Sequence, residues 1–493
     1  MKEQSKLSKV LSILLSVVLV ISSFYLLYQV IRLNVLPSKF LFPLTIGVVV
    51  LDAIFILLLI YFSKNVVSKI ICVVLTLLVC AASCFGGYYI SKTKSALSNI
   101  TNVAKHAKNT VSVIVKESSS IKNKSQLNGV SVGSLRLNEQ GSKKALKELS
   151  GEGIVLNQKE YDSMTALLEA FYNGEVDSII INESSRSQIL DMEAYSNFDS
   201  NTRVVYQTSY KVKNNDSATS VSDITSKPFN VLISGSDTRG GFDENGRSDV
   251  IMIATVNPKT HTILLTSVPR DFYVTTACDA GDGCMQGALD KITHTGIHGT
   301  NTTKRTVEQL LGIEINYTFK VGFDTVTELV DVLGGVDVYV EPGYATTTSE
   351  FSVHEGVNHL NAQQALAFAR ERYSYTEGDR QRTKNQQQVL MGIVKEATKP
   401  SVITNYAAIM DTMANTFSTT MSNEEITDLI KYQLNNNPTW KMEQYMVDGT
   451  GDTLMCAELG DAASVMVPDQ STVKMAKDKI NAVLAGKSSE DVK

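Results

Sequence analysis

Residues 229–239 read FNVLISGSDTR, and residues 246–273 read GRSDVIMIATVNPKTHTILLTSVPRDFY. Three pieces of this stretch, Phe229 to Ser234, Val250 to Val256 and His261 to Val268, are apolar and rich in β-branched residues, which predicts three strands. Asn257-Pro258-Lys259-Thr260 joins the last two as a hairpin turn. The charged residues Asp237, Arg239, Arg247, Asp249, Arg270 and Asp271 therefore fall at strand ends and in loops. A rigid sheet can present side chains from such positions.

Arginine usage marks the complement. Of 46 Lys and Arg residues only 12 are Arg, and seven of these (Arg239, Arg247, Arg270, Arg370, Arg372, Arg380 and Arg382) lie in two short windows. Surface salt bridging to local Asp and Glu is the plain explanation for such clusters. Planar guanidinium forks also match phosphate oxygens bidentately, better than ammonium groups do. Two aspartates in the same loops would suit a hard, oxygen-seeking cation such as magnesium, which favours the phosphate explanation. The second window begins at the end of a predicted helix over Ala362–Ala369, with Arg370-Glu371-Arg372, and continues as GDRQRTKNQQQVLMGIV. If the residues after Gly378 are helical, Arg382, Gln386 and Leu390 share one face while Arg380 points elsewhere.

The N-terminal part has a different character. Three nearly uncharged runs, Val10 to Ile31, Phe40 to Phe62 and Ile70 to Ser91, each reach the length needed to cross a bilayer, and no small-residue cleavage site makes the first a removable signal. Lys2, Lys6, Lys9, Lys64 and Lys69 flank one side, against Arg32, Lys39, Lys92 and Lys94 on the other. The balance predicts a cytoplasmic N-terminus, with everything after Ser91 outside. Asp52, inside the second span, is read as a protonated or helix-paired carboxyl. Between about Ser95 and Lys211, predicted strands (Val111–Val115, Ile154–Asn157, Val176–Asn182, Thr202–Tyr210) alternate with helices (Ser142–Leu149, Glu160–Tyr172). This is a small α/β domain, and a polar linker follows it.

In the last part, a helix from Thr302 to Leu311 closed by Gly312, a strand over Ile315–Val321, a helix over Asp324–Leu333 and a strand over Val336–Val340 continue the alternation. Lys291 and His294 are within reach of a phosphate on this reading. His294 and His298 have i, i+4 spacing but lack the Glu of a metalloprotease motif, so zinc is not expected. Cys278 and Cys284 flank a short loop as either a small disulfide or two free thiols. The expected organisation is a three-helix membrane anchor (residues 1–94), an extracellular accessory domain with linker (95–226), and an extracellular α/β/α domain with a central mixed sheet (227–493). A net charge of −5 argues against bulk nucleic-acid binding.

Seven ordered blocks, LISGSDTR, GRSDVIMIATVNP, LTSVPRDFYV, LDKITH, VDVLGGVDVYV, LNAQQALAFARER and GDRQRTKNQQQ, resemble the LytR-CpsA-Psr family of membrane-anchored cell-envelope phosphotransferases. The resemblance implies transfer of a glycan, such as capsular polysaccharide, from an undecaprenyl-pyrophosphate lipid to peptidoglycan through a phosphodiester. It implies magnesium, with manganese as the alternative, on Asp237 and Asp249. It also implies pyrophosphate binding by Arg247, Arg270, Arg370, Arg372, Arg382 and Gln386, with Lys291 in support, and capsule-synthesis proteins as partners. Members commonly carry Asn where Thr293 stands, Arg where Asn385 stands and an aromatic residue where Arg380 stands. An apolar groove between the sheet and the Ala362–Ala369 helix is the expected slot for the lipid. The general base is open between Asp237, Asp249, Glu371 and direct activation by the metal. Two other functions compete: a lipid pyrophosphatase using the same residues with water, and a membrane-bound transcriptional regulator. The short cytoplasmic segments leave no room for a helix-turn-helix unit, so no specific nucleic-acid contact is expected.

Overall fold

A computed structural model describes residues 6–62, 65–101, 106–136, 139–236, 244–279, 284–399, 402–414 and 417–492. Asp237 and Arg239 lie outside the described residues. The fold is mixed α/β, with three apolar N-terminal helices, as the sequence predicts.

Helices α1 (Lys6–Leu33), α2 (Ser38–Leu57) and α3 (Val66–Thr101) are long and apolar enough to cross a membrane by length and composition. The third continues ten residues past the predicted end at Ser91. Thr93 and Ser95 bond their hydroxyls to carbonyls four residues back, so the polar tail of α3 continues the helix. Asp52 accepts a hydrogen bond from Ser23 of α1 at 2.9 Å, a helix pairing that answers the cost of a carboxyl inside the span.

The accessory region is built from β1 (His106–Lys116), β2 (Ser131–Leu135), α4 (Glu139–Gly151), β3 (Asn157–Tyr161), α5 (Met164–Asn173), β4 (Ser178–Asn182), α6 (Arg186–Asp191), α7 (Phe198–Asn201) and β5 (Thr202–Lys213). Its sheet has the order β3-β2-β4-β1-β5. The predicted strand at Ile154–Asn157 is displaced to Asn157–Tyr161. Ile154 instead closes α4 by bonding Leu149, and the exposed edge strand that follows is polar. Strand β2 has the weak sequence SVGSL and was not predicted; its fit between two neighbouring strands, with four of five residues buried, makes it a strand.

The C-terminal region contains β6 (Phe229–Ser236), β7 (Ser248–Asn257), β8 (Thr262–Val268), β9 (Tyr273–Thr275), β10 (Leu289–Lys291), α8 (Thr300–Leu311), β11 (Tyr317–Gly322), α9 (Phe323–Leu333), β12 (Val336–Val340), β13 (Thr346–Thr347), β14 (Ser352–Val353), β15 (Gly356–Leu360) and α10 (Ala362–Arg370). It continues through α11 (Asp379–Ala397), α12 (Val402–Met413), β16 (Phe417–Thr419), α13 (Asn423–Asn436), β17 (Lys441–Met446), β18 (Gly449–Cys456), β19 (Asp461–Pro468) and α14 (Gln470–Leu484). The central sheet runs β16-β11-β6-β7-β8-β17 and is mixed: β11 and β17 lie parallel to β6 and β8, while β6, β7 and β8 form the predicted antiparallel meander. One core packs Leu232, Ile251, Ile253 and Leu264 of this sheet against Val307 of α8 and Val473, Ala476, Ile480 and Val483 of α14. A second core gathers α9, α10, α11, β12 and β15. Among the described residues, strand β12 stays out of the central sheet and pairs with β15. Its Val336, Val338 and Val340 face the helices of that second core.

The chain divides into two compact units. The first comprises Met1–Thr101, Lys395–Ala414 and Ser422–Thr439, and the second comprises Asn102–Val394, Asn415–Met421 and Trp440–Lys493. Within the first, α12 and α13 pack on α3. Lys39 donates to the Asn435 carbonyl at 2.7 Å, Lys431 to Asn34 at 2.9 Å and Thr101 to Asn423 at 2.7 Å. Helix α13 therefore sits at the end of the bundle where α1 ends, α2 begins and α3 ends. Within the second, Leu167, Leu168 and Phe171 of α5 share a core with Cys456, Leu459 and Val465 from the β18–β19 hairpin. The accessory sheet thus closes its apolar face with C-terminal residues.

Candidate functional site: an arginine-lined cleft

Arg247 precedes strand β7, which opens with Ser248 and Asp249, and alternation divides them. Ser248 turns inward to the hydroxyls of Ser234 and Thr303, at 2.9 and 3.0 Å. Arg247 and Asp249 take the other face, 3.5 Å apart. At the end of β8 the chain turns at Pro269, and Arg270 reaches back to Asp249 at 3.1 Å. The 3₁₀ segment Ile292–His298 crosses the start of β7 and brings the Thr293 hydroxyl to the same carboxylate at 3.0 Å. This crossing needs Gly296, where a Cβ would stand 2.5 Å from the Gly246 carbonyl and the Ser248 nitrogen.

Helix α11 supplies the opposite wall. Gly378, at φ 54°, leads into its first turn in a left-handed conformation that favours glycine. Asp379 then bonds Arg382 at 2.6 Å and lies 3.5 Å from Arg372. Asp249, Arg270, Asp379, Arg382 and Gln386 line one mostly polar cleft, with Met252 and Val268 buried beneath it. The strand residues of this cleft come from β7 and β8 and face α11. Helix α10 spends its apolar side, Ala365, Phe368 and Ala369, in the core with β12 and β15.

The electrostatics are tightly balanced. Burial alone would raise the Asp249 pKa, but Arg247, Arg270 and Thr293 outweigh it and hold the carboxyl below its ordinary range. For Arg270 burial pulls downward, and Asp249, Asp271, Asp379 and Asp191 together push the net shift upward. Arg382 goes the other way: burial, with Arg270 and Arg372 adding repulsion, lowers its pKa despite Asp379. The Nε atoms of Arg247, Arg270 and Arg382 are buried without a hydrogen-bond partner among the described residues. A buried, repelled guanidinium with a spare donor is a site for an anion.

The remaining expected residues are placed as follows. Lys291 pairs with Asp271 at 3.1 Å, beside Arg270. Arg372 stacks on Tyr373, and Arg370 ends α10 exposed to solvent. Arg380 turns away to Asp448, at 2.8 Å. Asn385 is buried and donates to the Phe368 carbonyl at 3.0 Å, so it serves helix packing. His294, expected within reach of a phosphate, is buried against Asp290 at 2.7 Å, while His298 pairs with Glu458 at 2.8 Å. Each histidine has its own carboxylate, and no cluster of three metal-ligating side chains occurs among the described residues. Of the base candidates, Asp249 is held ionised by two arginines, and Glu371 accepts the Tyr373 and Ser374 amides. Cys278 and Cys284, left open by the sequence, form a disulfide.

Two participants were missed. Asp379 stands three residues before Arg382, a spacing that pairs charges on a helix, and could have been found from it. Asp191, at the end of α6, forms an ion pair with Arg247. No local signal links a carboxylate of the accessory region to an arginine 56 positions away.

These features define a membrane-anchored α/β protein carrying an arginine-lined cleft at the strand ends of a mixed sheet. Residues 194–482 match the model of the LytR_cpsA_psr family, and the chain belongs to that family. It is 31% identical over 241 residues to the polyisoprenyl-teichoic acid–peptidoglycan teichoic acid transferase TagU of Bacillus cereus (strain AH820), covering 48% of this chain and 76% of the relative. It is 34% identical over 203 residues to the TagU of Bacillus subtilis (strain 168), covering 41% and 63%. The crystal structure of B. subtilis TagU aligns with a TM-score of 0.40 at 28% identity, over 52% of this chain and 97% of that one.

Proposed function

We propose that this protein transfers a glycopolymer from a polyprenyl-pyrophosphate carrier to peptidoglycan. The relatives named as teichoic acid transferases support the reaction class. The polymer in this proposal is a capsular polysaccharide or a related glycopolymer, delivered in concert with capsule-synthesis proteins. The observation that carries the reading is the convergence of Arg270, Arg382 and Gln386 with Asp249 on one cleft, which suits a pyrophosphate head.

In the reaction, an acceptor hydroxyl oxygen forms a bond to the glycan-linked phosphorus. The bond from that phosphorus to the bridging oxygen breaks, and the electron pair leaves on polyprenyl phosphate. The hydroxyl proton passes to a base or to solvent, and a phosphodiester remains. Such a transfer needs positioning and charge neutralisation more than covalent help. Arg247, Arg270, Arg372 and Arg382, with Lys291 and Arg370 at the margin, are the groups we assign to the phosphates.

Magnesium, with manganese as the alternative, fits the described half of its expected site. Asp249 stays ionised, its Oδ2 lies 3.5 Å from Arg247, and magnesium usually takes one or two carboxylates together with substrate phosphates. Asp249 with Asp237 would hold it. Bound there, the ion would offset charge on the phosphate oxygens. We further propose that the C-terminal region lies outside the cell. The lysine-rich flank at the N-terminal end and the Cys278–Cys284 disulfide, a bond that persists in oxidising compartments, support this orientation.

Purified full-length protein given lipid-linked glycan, with and without peptidoglycan, tests the reading. Mass spectrometry should find a phosphodiester-linked product only when acceptor is present. Release of glycan phosphate alone, even with acceptor, would make the protein a pyrophosphatase. An unchanged yield on magnesium removal would remove the metal from the proposal.

A further inference from the structure

Helix α11 has a second polar face that the arginine cleft does not use. Arg382 and Gln386 line the first cleft, while Gln381, Lys384, Asn385 and Gln388 line another, narrower than a free groove. The opposite side of this second cleft is made by Tyr339, Tyr344 and Tyr375. Its charge is already balanced, because Lys384 pairs with Glu341 at 3.4 Å and lies over the Tyr344 ring at 5.4 Å. What remains on offer is amide and phenol.

Two of these groups have unmet capacity. Gln381 is only 6% exposed; its amide nitrogen donates to Asn385 at 2.9 Å, and its oxygen has no partner among the described residues. The Tyr375 hydroxyl, from a separate segment, is buried and likewise has no partner among the described residues. Buried polar atoms are rarely left so, and two facing one cleft from its two sides call for a ligand that both donates and accepts. At the rim, Tyr339 leaves half of its surface open, 50%, and so offers a ring face. A neutral group with hydroxyls for the amides and a C–H face for an aromatic ring is a sugar. Among the described residues lining it, the one cation, Lys384, is paired with Glu341, so a phosphate is disfavoured, and a polyprenyl tail would strand the amides.

We propose that this cleft is a saccharide subsite that holds a sugar ring next to the phosphate being transferred. The proposal rests on the transferase reading for what it holds. Gln381 and Arg382 are neighbours on the first turn of α11, about 100° apart around the helix, so the two clefts open on adjoining faces of one turn. The ring can come from the donor, as the sugar bonded to the pyrophosphate, or from the acceptor glycan.

Saturation-transfer NMR on the full-length protein in detergent micelles tests this with two probes: a soluble disaccharide-peptide released from peptidoglycan, and a short-chain prenyl-pyrophosphate N-acetylhexosamine. Sugar protons of at least one should be saturated. Tyr339→Ala combined with Tyr375→Phe should weaken that binding tenfold or more, with lipid retention and melting temperature unchanged. An effect on the disaccharide-peptide makes the cleft an acceptor subsite, and an effect on the pyrophosphate probe alone makes it a donor subsite. Should the double variant fail to fold, Tyr339→Ala alone, at the half-exposed rim, decides in its place. No saturation of either sugar, or equal binding by the folded variant, overturns the subsite whether or not transfer is observed. Sugar binding that the variant loses, in a protein that transfers nothing, would retain the subsite and remove the transferase reading.

Discussion

Arg270 and Arg372 carry the same charge in different settings. Arg270 is 17% exposed, bonded to Asp249, and backed by three further carboxylates that keep it charged. Arg372 is 37% exposed and leans on Tyr373 with its guanidinium 4.7 Å from the ring centroid. Loss of a buried charge-assisted contact costs about 1.5–3 kcal/mol, and loss of an exposed one much less. Arg270→Ala should therefore reduce co-purification of polyprenyl pyrophosphate roughly tenfold or more, and Arg372→Ala only a few-fold. Quantifying the lipid extracted from each purified variant checks the order, and equal losses would show that exposure does not grade these contacts. At this scale much was legible: Arg247, Asp249 and Arg270 stand out as charges at strand ends, and Arg382 and Gln386 as one polar face of a helix. Thr293 shows a departure from the family pattern that keeps a contact, since its hydroxyl still reaches Asp249.

At the scale of elements, two close contacts hold the site and the sheet edge. Gly296→Ala would push the 3₁₀ segment off the start of β7 and carry Thr293 away from Asp249. Reduced lipid retention and a lower melting temperature should both follow, whereas Gly287→Ala, at a positive-φ turn with open space around its Cβ position, should affect stability alone. Glu443 of β17 ties down the C-terminal segment, accepting from Ser488 and Ser489 at 2.8 Å and pairing with Lys441 at 2.8 Å. Burial alone would raise its pKa, but Lys441 and the two serines bring it down to about 2. Because the folded value is depressed, this stabilisation is complete above the ordinary carboxylate range and is lost as pH falls toward about 2. Glu443→Gln should accordingly melt below wild type at neutral pH, with the gap closing in acid; a pH-independent gap would assign the loss to packing. Strand β17 gave no warning of this in sequence, since KMEQYM alternates weakly and its role comes from parallel pairing with β8.

On the scale of the whole molecule, the accessory region and the arginine cleft meet at Asp191 and Arg247. Asp191 is 55% exposed while Arg247 is 7% exposed, so the carboxylate is the partner that can withdraw when a phosphate arrives. Asp191→Ala removes a competitor for Arg247 and should tighten retention of the anionic lipid a few-fold, the scale of an exposed pair. Titration of each protein with a fluorescent polyprenyl pyrophosphate checks the sign, and weaker binding would make Asp191 a support for Arg247. The proposed orientation has its own test in intact cells. After mild reduction, a membrane-impermeant thiol reagent should label Cys278 and Cys284. Cys456 should stay silent, its thiol buried and pushed up to about 12 by that burial and by Asp290. Labelling that requires lysis would reverse the topology.

Local chemistry was enough for the sequence by itself to determine the three apolar spans, the β6–β7–β8 meander with its Asn257–Thr260 turn, α8 to its Gly312 stop and the clustering of arginine in two windows. Period, turn residues and charge are properties of neighbours in the chain. Tertiary structure alone decided that β2 is a strand, that β12 leaves the central sheet, that α11 rather than α10 walls the cleft, and that Asp191 and Asp379 neutralise its arginines. Each of these depends on which surface a segment meets across tens or hundreds of residues, and burial against a distant partner leaves no period in the sequence that makes it.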